Sequence, residues 1–170
     1  QSDDEAIFGA TVEQKHRYVG ASVGGDDRYL VISAANSTSG NKLFIKDLAS
    51  DSDELIVVFA DESADGSLLE SNDDYLLIET NRDAPKGRVI ALDPQAAGES
   101  DWRDVIPESE HALNASSSAG YLFVEYMIDT ISQVKQYDLN GNLIRDIELP
   151  DLGSASGFGG KKEQEKVFFT

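Results

Sequence analysis

Cysteine does not occur in this chain. That absence removes disulfide bridges, thiolate metal ligands and cysteine nucleophiles together, yet it leaves the compartment open, because reducing and oxidising spaces both tolerate a cysteine-free protein. A cytoplasmic and a periplasmic location are equally admissible. Basic side chains are scarce: 14 Lys and Arg stand against 32 Asp and Glu, a formal net charge of -18. A surface of that sign repels a nucleic-acid backbone and an anionic membrane, so neither is expected as a partner. No block of like charge stands out, and the excess reads as a solvated acidic exterior. Long hydrophobic runs are missing as well. No window approaches 18 consecutive apolar residues, and the opening Gln1-Ser2-Asp3-Asp4-Glu5 lacks the basic and apolar regions of a signal peptide, which predicts a soluble chain. Helical periodicity is also wanting: no long segment repeats its apolar residues every 3.6 positions, and β-branched and aromatic residues fill the apolar runs.

What is present is enough apolar material to fold. Hydrophobic residues make up 40% of 170, too many for intrinsic disorder and sufficient for a sizeable core. The organisation is a repeat. Asp27-Arg28-Tyr29-Leu30-Val31-Ile32-Ser33 returns as Asp74-Tyr75-Leu76-Leu77-Ile78-Glu79, as Gly120-Tyr121-Leu122-Phe123-Val124-Glu125 and as Lys166-Val167-Phe168-Phe169, with positions 29, 75, 121 and 167 spaced by 46. The first three copies follow polar turn-forming clusters: Gly24-Gly25-Asp26-Asp27, Ser71-Asn72-Asp73-Asp74 and Ser116-Ser117-Ser118-Ala119-Gly120. A second strand follows in each unit, at Lys42–Leu48, Arg88–Asp93 and Gln133–Leu139, with aspartates at 47, 93 and 138 keeping the period. The last runs into Asp138-Leu139-Asn140-Gly141-Asn142, whose Asn-Gly offers positive φ angles for a tight hairpin turn. A further strand closes each unit at Glu54–Phe59, Trp102–Ile106 and Leu143–Leu149. After it comes a small-residue stretch, at 66–70, 112–115 and 153–158, suited to an inner strand crowding a central axis.

Four strands in about 46 residues, with apolar side chains on both faces of the central strands, describe a sheet sandwiched between like sheets. The predicted fold is therefore all-β, a partial β-propeller of about three four-stranded blades at 17–60, 66–107 and 112–149, with part-blades at 1–16 and 153–170. Ala6-Ile7-Phe8 is read as an outer strand of the first part-blade. A β-sandwich with accidental regularity is the competing architecture. The chain is expected to begin and stop inside blades, and a propeller closes with typically 4 to 8 of them. Unpaired strands at such cut edges recruit neighbours, which motivates a homodimer through the cut blade edges.

The candidate chemical residues each have a plainer reading. Gly20-Ala21-Ser22-Val23-Gly24 matches the G-x-S-x-G nucleophile elbow, but a Gly-Gly-Asp-Asp turn and another strand follow where the elbow needs a helix, so Ser22 is not assigned as a nucleophile. His16 and His111, the only histidines, are read as surface or loop residues. Asp61-Glu62-Ser63-Ala64-Asp65-Gly66 opens like a calcium loop, but its twelfth position is Asn72 in place of the bidentate glutamate, so no metal is assigned. Arg82, Asp83 and Arg88 are expected to form ion pairs across a blade edge. No catalytic residue and no cofactor are expected.

The strand text resembles the propeller domain of prolyl oligopeptidases, serine peptidases that cut short peptides after proline. The resemblance runs through essentially the whole chain and is carried by Asp26–Ser33, Asn41–Phe44, Thr80-Asn81-Arg82-Asp83-Ala84-Pro85-Lys86-Gly87 and on to Asp93, Trp102–Glu108, and Tyr137–Gly141. It implies a seven-bladed propeller seated over an α/β-hydrolase domain, absent from this segment, that carries a Ser-Asp-His triad. It further implies that the propeller filters substrates by size, so this chain would be a gating segment, inactive by itself. Its implied partners are that hydrolase domain and short proline-containing peptides. Family alignment places pocket contacts for the residue two before the substrate proline near Tyr18 and Ser37, although Ala34-Ala35-Asn36-Ser37-Thr38-Ser39-Gly40 departs from the family's usual text. For Tyr18, packing at the start of an inner strand is the alternative. The alternative function is a non-enzymatic propeller module that binds peptide or protein on its loops.

Overall fold

A computed structural model describes residues 6–24, 27–71, 74–96, 98 and 101–170. Among these residues there are twelve strands and no α-helix. They form three antiparallel four-stranded sheets whose strands neighbour one another in chain order. The first holds β1 (Tyr18–Val23), β2 (Tyr29–Ala35), β3 (Lys42–Asp47) and β4 (Ile56–Phe59). The second holds β5 (Gly66–Ser71), β6 (Leu76–Thr80), β7 (Arg88–Leu92) and β8 (Arg103–Ile106). The third holds β9 (Leu113–Ser118), β10 (Tyr121–Ile128), β11 (Ile131–Tyr137) and β12 (Leu143–Ile147).

Strand periodicity explains how the sheets stack. In β6 and β7 the alternating residues Leu76, Ile78, Ile90 and Leu92 face the first sheet and meet Tyr29, Val31, Leu43, Ile45, Val58 and Phe59. The intervening Leu77, Val89 and Ala91 face the third sheet and meet Leu113, Ala115, Leu122, Val124 and Tyr126. Two buried faces require a nearly continuous apolar run, which is what Tyr75 to Ile78 supplies. The outer face of the third sheet is covered from within the chain: Phe123 and Val134 pack with Ala155 and Phe158.

Several local expectations are corrected. Ala6-Ile7-Phe8 is not a strand but a bend, and Phe8 packs its ring 5.0 Å from that of Phe44 on the outer face of the first sheet. Lys166–Phe169 is not a strand either. Phe169 stacks on Phe158 at 4.8 Å, while Ser156 and Thr170 exchange backbone hydrogen bonds of 3.0 and 2.9 Å, a single rung of an antiparallel pair. Ser116–Ser118 lie in the inner strand β9, and the turn beyond them is only Ala119-Gly120, with φ of 54° and 75°. These are the two positive angles of a two-residue hairpin turn. At the Asn140-Gly141 turn only Gly141 takes a positive φ, 87°, because Asp138 accepts the amides of both Asn140 and Asn142 at 2.9 Å and holds a longer loop. Gln1–Glu5, and Gly25, Asp26, Asn72 and Asp73 of the expected turn clusters, lie outside the described residues.

Candidate functional site: the upper cleft between the second and third sheets

Antiparallel pairing brings the start of β1 and the end of β2 to one end of the first sheet, with Tyr18 opposite Ala35. This end is called upper here. Tyr18 is half exposed there with the Arg17 guanidinium 5.6 Å from its ring centroid, and Ser37 is exposed in the bend that follows β2. Ser22 lies inside β1 opposite Val31, within an exposed extended strand and not on a turn into a helix. His16 lies in a loop, as one of the two expected readings had it, but not at the surface. Its side chain is almost fully covered, lying 6.2 Å from the Phe8 ring, with Nδ1 3.1 Å from the Gln14 carbonyl oxygen and Nε2 3.7 Å from Glu62. His111 is half-buried in the loop before β9.

The upper loops are tied together by amides and carboxylates. The Asn41 side chain accepts from Gly66 N–H at 2.8 Å and donates to Gly66 O at 3.1 Å, joining the first sheet to the start of the second. Asp65 accepts from Gly40 N–H at 2.7 Å on one oxygen and from Asn81 Nδ2 at 3.0 Å on the other. Asp61 is engaged by Ser63, whose hydroxyl and amide donate at 2.6 and 2.9 Å, and by Arg82 at 2.8 Å. Those hydrogen bonds, Ser63 foremost, hold the Asp61 carboxyl down at about 2. The segment that opens like a calcium loop is thus a brace between blades, and its twelfth position, Asn72, lies outside the described residues. Arg82 reaches between blades, whereas Arg88 pairs with Asp104 at 3.1 Å inside the second sheet.

A cleft of about 380 Å³ opens among these loops, lined by Asn41, Asp65, Glu79, Lys86, Gly87 and Leu113 with their neighbours. Glu79, near the end of β6, reaches across to the inner strand of the next sheet and accepts the Ala115 amide on Oε2 at 3.2 Å. Partial burial pushes its carboxyl above the usual carboxylate range, and the Ala115 amide opposes that only in part. The residue was not singled out from sequence. Its signal is the repeat itself, since Ser33, Glu79 and Glu125 are the fifth residues of the aligned second strands and interrupt otherwise apolar text.

The whole chain, residues 1–170, matches the family model described as the N-terminal β-propeller domain of prolyl oligopeptidase. The chain belongs to that family. Along all 170 residues it is 42% identical to a prolyl endopeptidase of Elizabethkingia meningoseptica and 41% identical to one of Elizabethkingia miricola, spanning 24% of the length of each. Among solved structures, a prolyl endopeptidase superposes with a TM-score of 0.81 at 23% identity, over 94% of this chain and 24% of that one. A prolyl oligopeptidase B from Galerina marginata superposes with a TM-score of 0.79 at 22% identity, over 96% of this chain and 24% of the other. At such identities the structural likeness speaks for the fold alone. In this prolyl oligopeptidase propeller segment the three stacked sheets are therefore blades, and the upper cleft lies where the second and third blades meet beside their inner strands.

Proposed function

We propose that the chain is a gating segment of a proline-specific serine endopeptidase, filtering substrates by size over a hydrolase domain and inactive by itself. What carries the reading is the likeness to prolyl endopeptidases, unbroken over all 170 residues at 42% identity. A filter of this kind works by keeping water and folded proteins from the reacting bond, so it needs rigid walls more than reactive groups. Blades that share close-packed apolar seams, with upper loops cross-tied by Asn41, Asp61 and Asp65, suit that demand. Tyr18 and Ser37, at the same end of the first blade, are proposed to contact the residue two before the substrate proline. The proposed partners are the α/β-hydrolase domain and short proline-containing peptides.

Two assays test this. The chain alone, given a fluorogenic proline-containing peptide, is expected to show no turnover; activity that Ser22→Ala abolished would overturn the reading. In the full-length enzyme carrying this segment, short peptides are expected to be cut while folded proteins survive, and loss of that discrimination is expected when the propeller is deleted. A homodimer of the isolated chain through exposed blade edges is also proposed, and light scattering that shows a strict monomer at high concentration would exclude it.

A further inference from the structure

The second and third blades answer the same structural need differently. In the third blade Glu125 occupies the position that Glu79 holds in the second, and it accepts a hydrogen bond from the hydroxyl of Ser132, which in turn accepts the Ala155 amide at 2.9 Å. The chain of contacts runs from carboxylate through hydroxyl to the next inner segment. Register shows what stands for Ser132 in the second blade. Glu125 pairs with Val134 and Glu79 with Val89, so the residue two before each is Ser132 in one blade and Gly87 in the other. Gly87 has no side chain to donate, Leu113 packs 3.2–3.3 Å from where a Cβ would stand, and the cleft of about 380 Å³ opens beside them. Glu79 therefore bridges directly to Ala115 through Oε2, with Ser67 of β5 its cross-strand neighbour at the cleft. The nearby carboxylate of Asp65 is spent on Gly40 and Asn81, and the Lys86 ammonium is turned back onto the Glu110 carbonyl.

We infer that the upper cleft is a subsite for a cationic group of a peptide, with Glu79 supplying the carboxylate and the ligand's ammonium or guanidinium approaching it from the cleft. The geometry suits a cation better than a neutral donor for two reasons. A half-buried carboxylate with one amide partner is under-neutralised, and charge-assisted hydrogen bonds are about twice as strong as neutral ones. The walls formed by Pro85, Ala112 and Leu113 offer apolar surface to the methylene stem of a lysine or arginine side chain. The acidic exterior, at net charge -18, adds a long-range pull on cationic peptides. That the ligand is a peptide rests on the proposed function; that it is cationic rests on the cleft.

The test compares two blocked proline-containing peptides of equal length, one with lysine and one with norleucine, binding to the full chain by calorimetry at low salt. The lysine peptide is expected to bind at least about fivefold more tightly, the scale of one charge-assisted contact. The Ala115 amide resonance is expected to move on binding, and the preference to shrink as salt is raised. Glu79→Gln keeps an oxygen for the Ala115 amide and removes only the charge, so the preference should fall to about one, whereas Glu125→Gln, which removes the same charge elsewhere, should leave it intact. Equal binding of both peptides, or a preference that survives Glu79→Gln, overturns the inference. Binding of neither peptide also overturns it, and leaves gating to be judged by the substrate-length assay on the full-length enzyme.

Discussion

Asp47, Asp93 and Asp138 close the third strand of each blade, and in all three the carboxylate accepts the amide two residues on, from Ala49, Gln95 and Asn140, at 2.9, 2.8 and 2.9 Å. Each is an Asx turn, which starts the chain's reversal toward the outer strand without committing it to a helix. The spacing of these aspartates was readable from the sequence; their task was not, because an acidic residue ending a strand reads equally well as solvated surface. Glu79 is the opposite case, a charge inside an apolar strand whose meaning depends on a blade 36 residues further along. Its effect on stability has a definite sign. Burial raises its pKa in the folded state above the unfolded value, so folding takes up protons between the two values. Stability is then highest below the unfolded pKa and declines as pH rises through the folded one, and at neutral pH the ionised carboxylate is a net cost. Glu79→Gln is accordingly expected to be as stable as the wild-type chain or more so at pH 7, and to lose that advantage at pH 4, in parallel urea titrations. A clear loss of stability at pH 7 would show that the charge's contribution to the bridge to Ala115 outweighs the desolvation.

Turns are the elements where sequence and structure part most. The polar runs around the second strands announced reversals correctly, yet Ser116–Ser118 turned out to be strand, because small hydroxyl residues fit an inner strand packed against its neighbour as readily as they fit a turn. The reversal between β10 and β11 had no glycine or asparagine to advertise it. It is made by Asp129 and Thr130 with φ of 49° and 67°. A β-branched residue at positive φ is strained by about 1–3 kcal/mol. Thr130→Gly should relieve that strain while surrendering about 0.5–1 kcal/mol to the freer unfolded chain, for a net gain of about 1 kcal/mol in chemical denaturation. Gly141 predicts the reverse. Its φ is 87°, and an added Cβ would stand 2.2 Å from the Val105 carbonyl oxygen on the neighbouring blade. Gly141→Ala is therefore expected to cost at least about 1–3 kcal/mol by the same measurement, through strain in the loop and separation of the second and third blades. The part-blades show what local text cannot convey. Ala6–Phe8 and Lys166–Phe169 have strand-like composition, but a strand also needs partners along its length, and the latter segment is held by stacked rings and the single rung between Ser156 and Thr170.

At the scale of the whole molecule the three blades are alike in sequence but not in surroundings, and this sets an order of stability. The second blade is packed by a sheet on both faces, with Leu76, Ile78, Ile90 and Leu92 on one side and Leu77, Val89 and Ala91 on the other. Among the described residues, the first and third have a sheet on one face and on the other only chain segments led by Phe8 or by Phe158 and Phe169. Opening an end blade breaks one apolar seam between sheets, whereas opening the middle one breaks two, and each fully buried large side chain exposed costs about 1.5–3 kcal/mol. Stacked repeats whose contacts are confined to neighbours open from the ends for this reason. Amide hydrogen exchange is thus expected to be slowest in β6 and β7 and fastest in β1, whose six residues are all exposed and whose outer edge has no paired strand among the described residues. Leu77→Ala, which removes a nearly fully buried side chain from the seam between the second and third blades, should cost about 2–5 kcal/mol and speed exchange in both. It should leave the seam between the first and second blades slower than the one it damages. Equal protection across all three blades, collapsing together in the variant, would mean that the sheets open as one cooperative unit and that the ends are anchored as firmly as the middle.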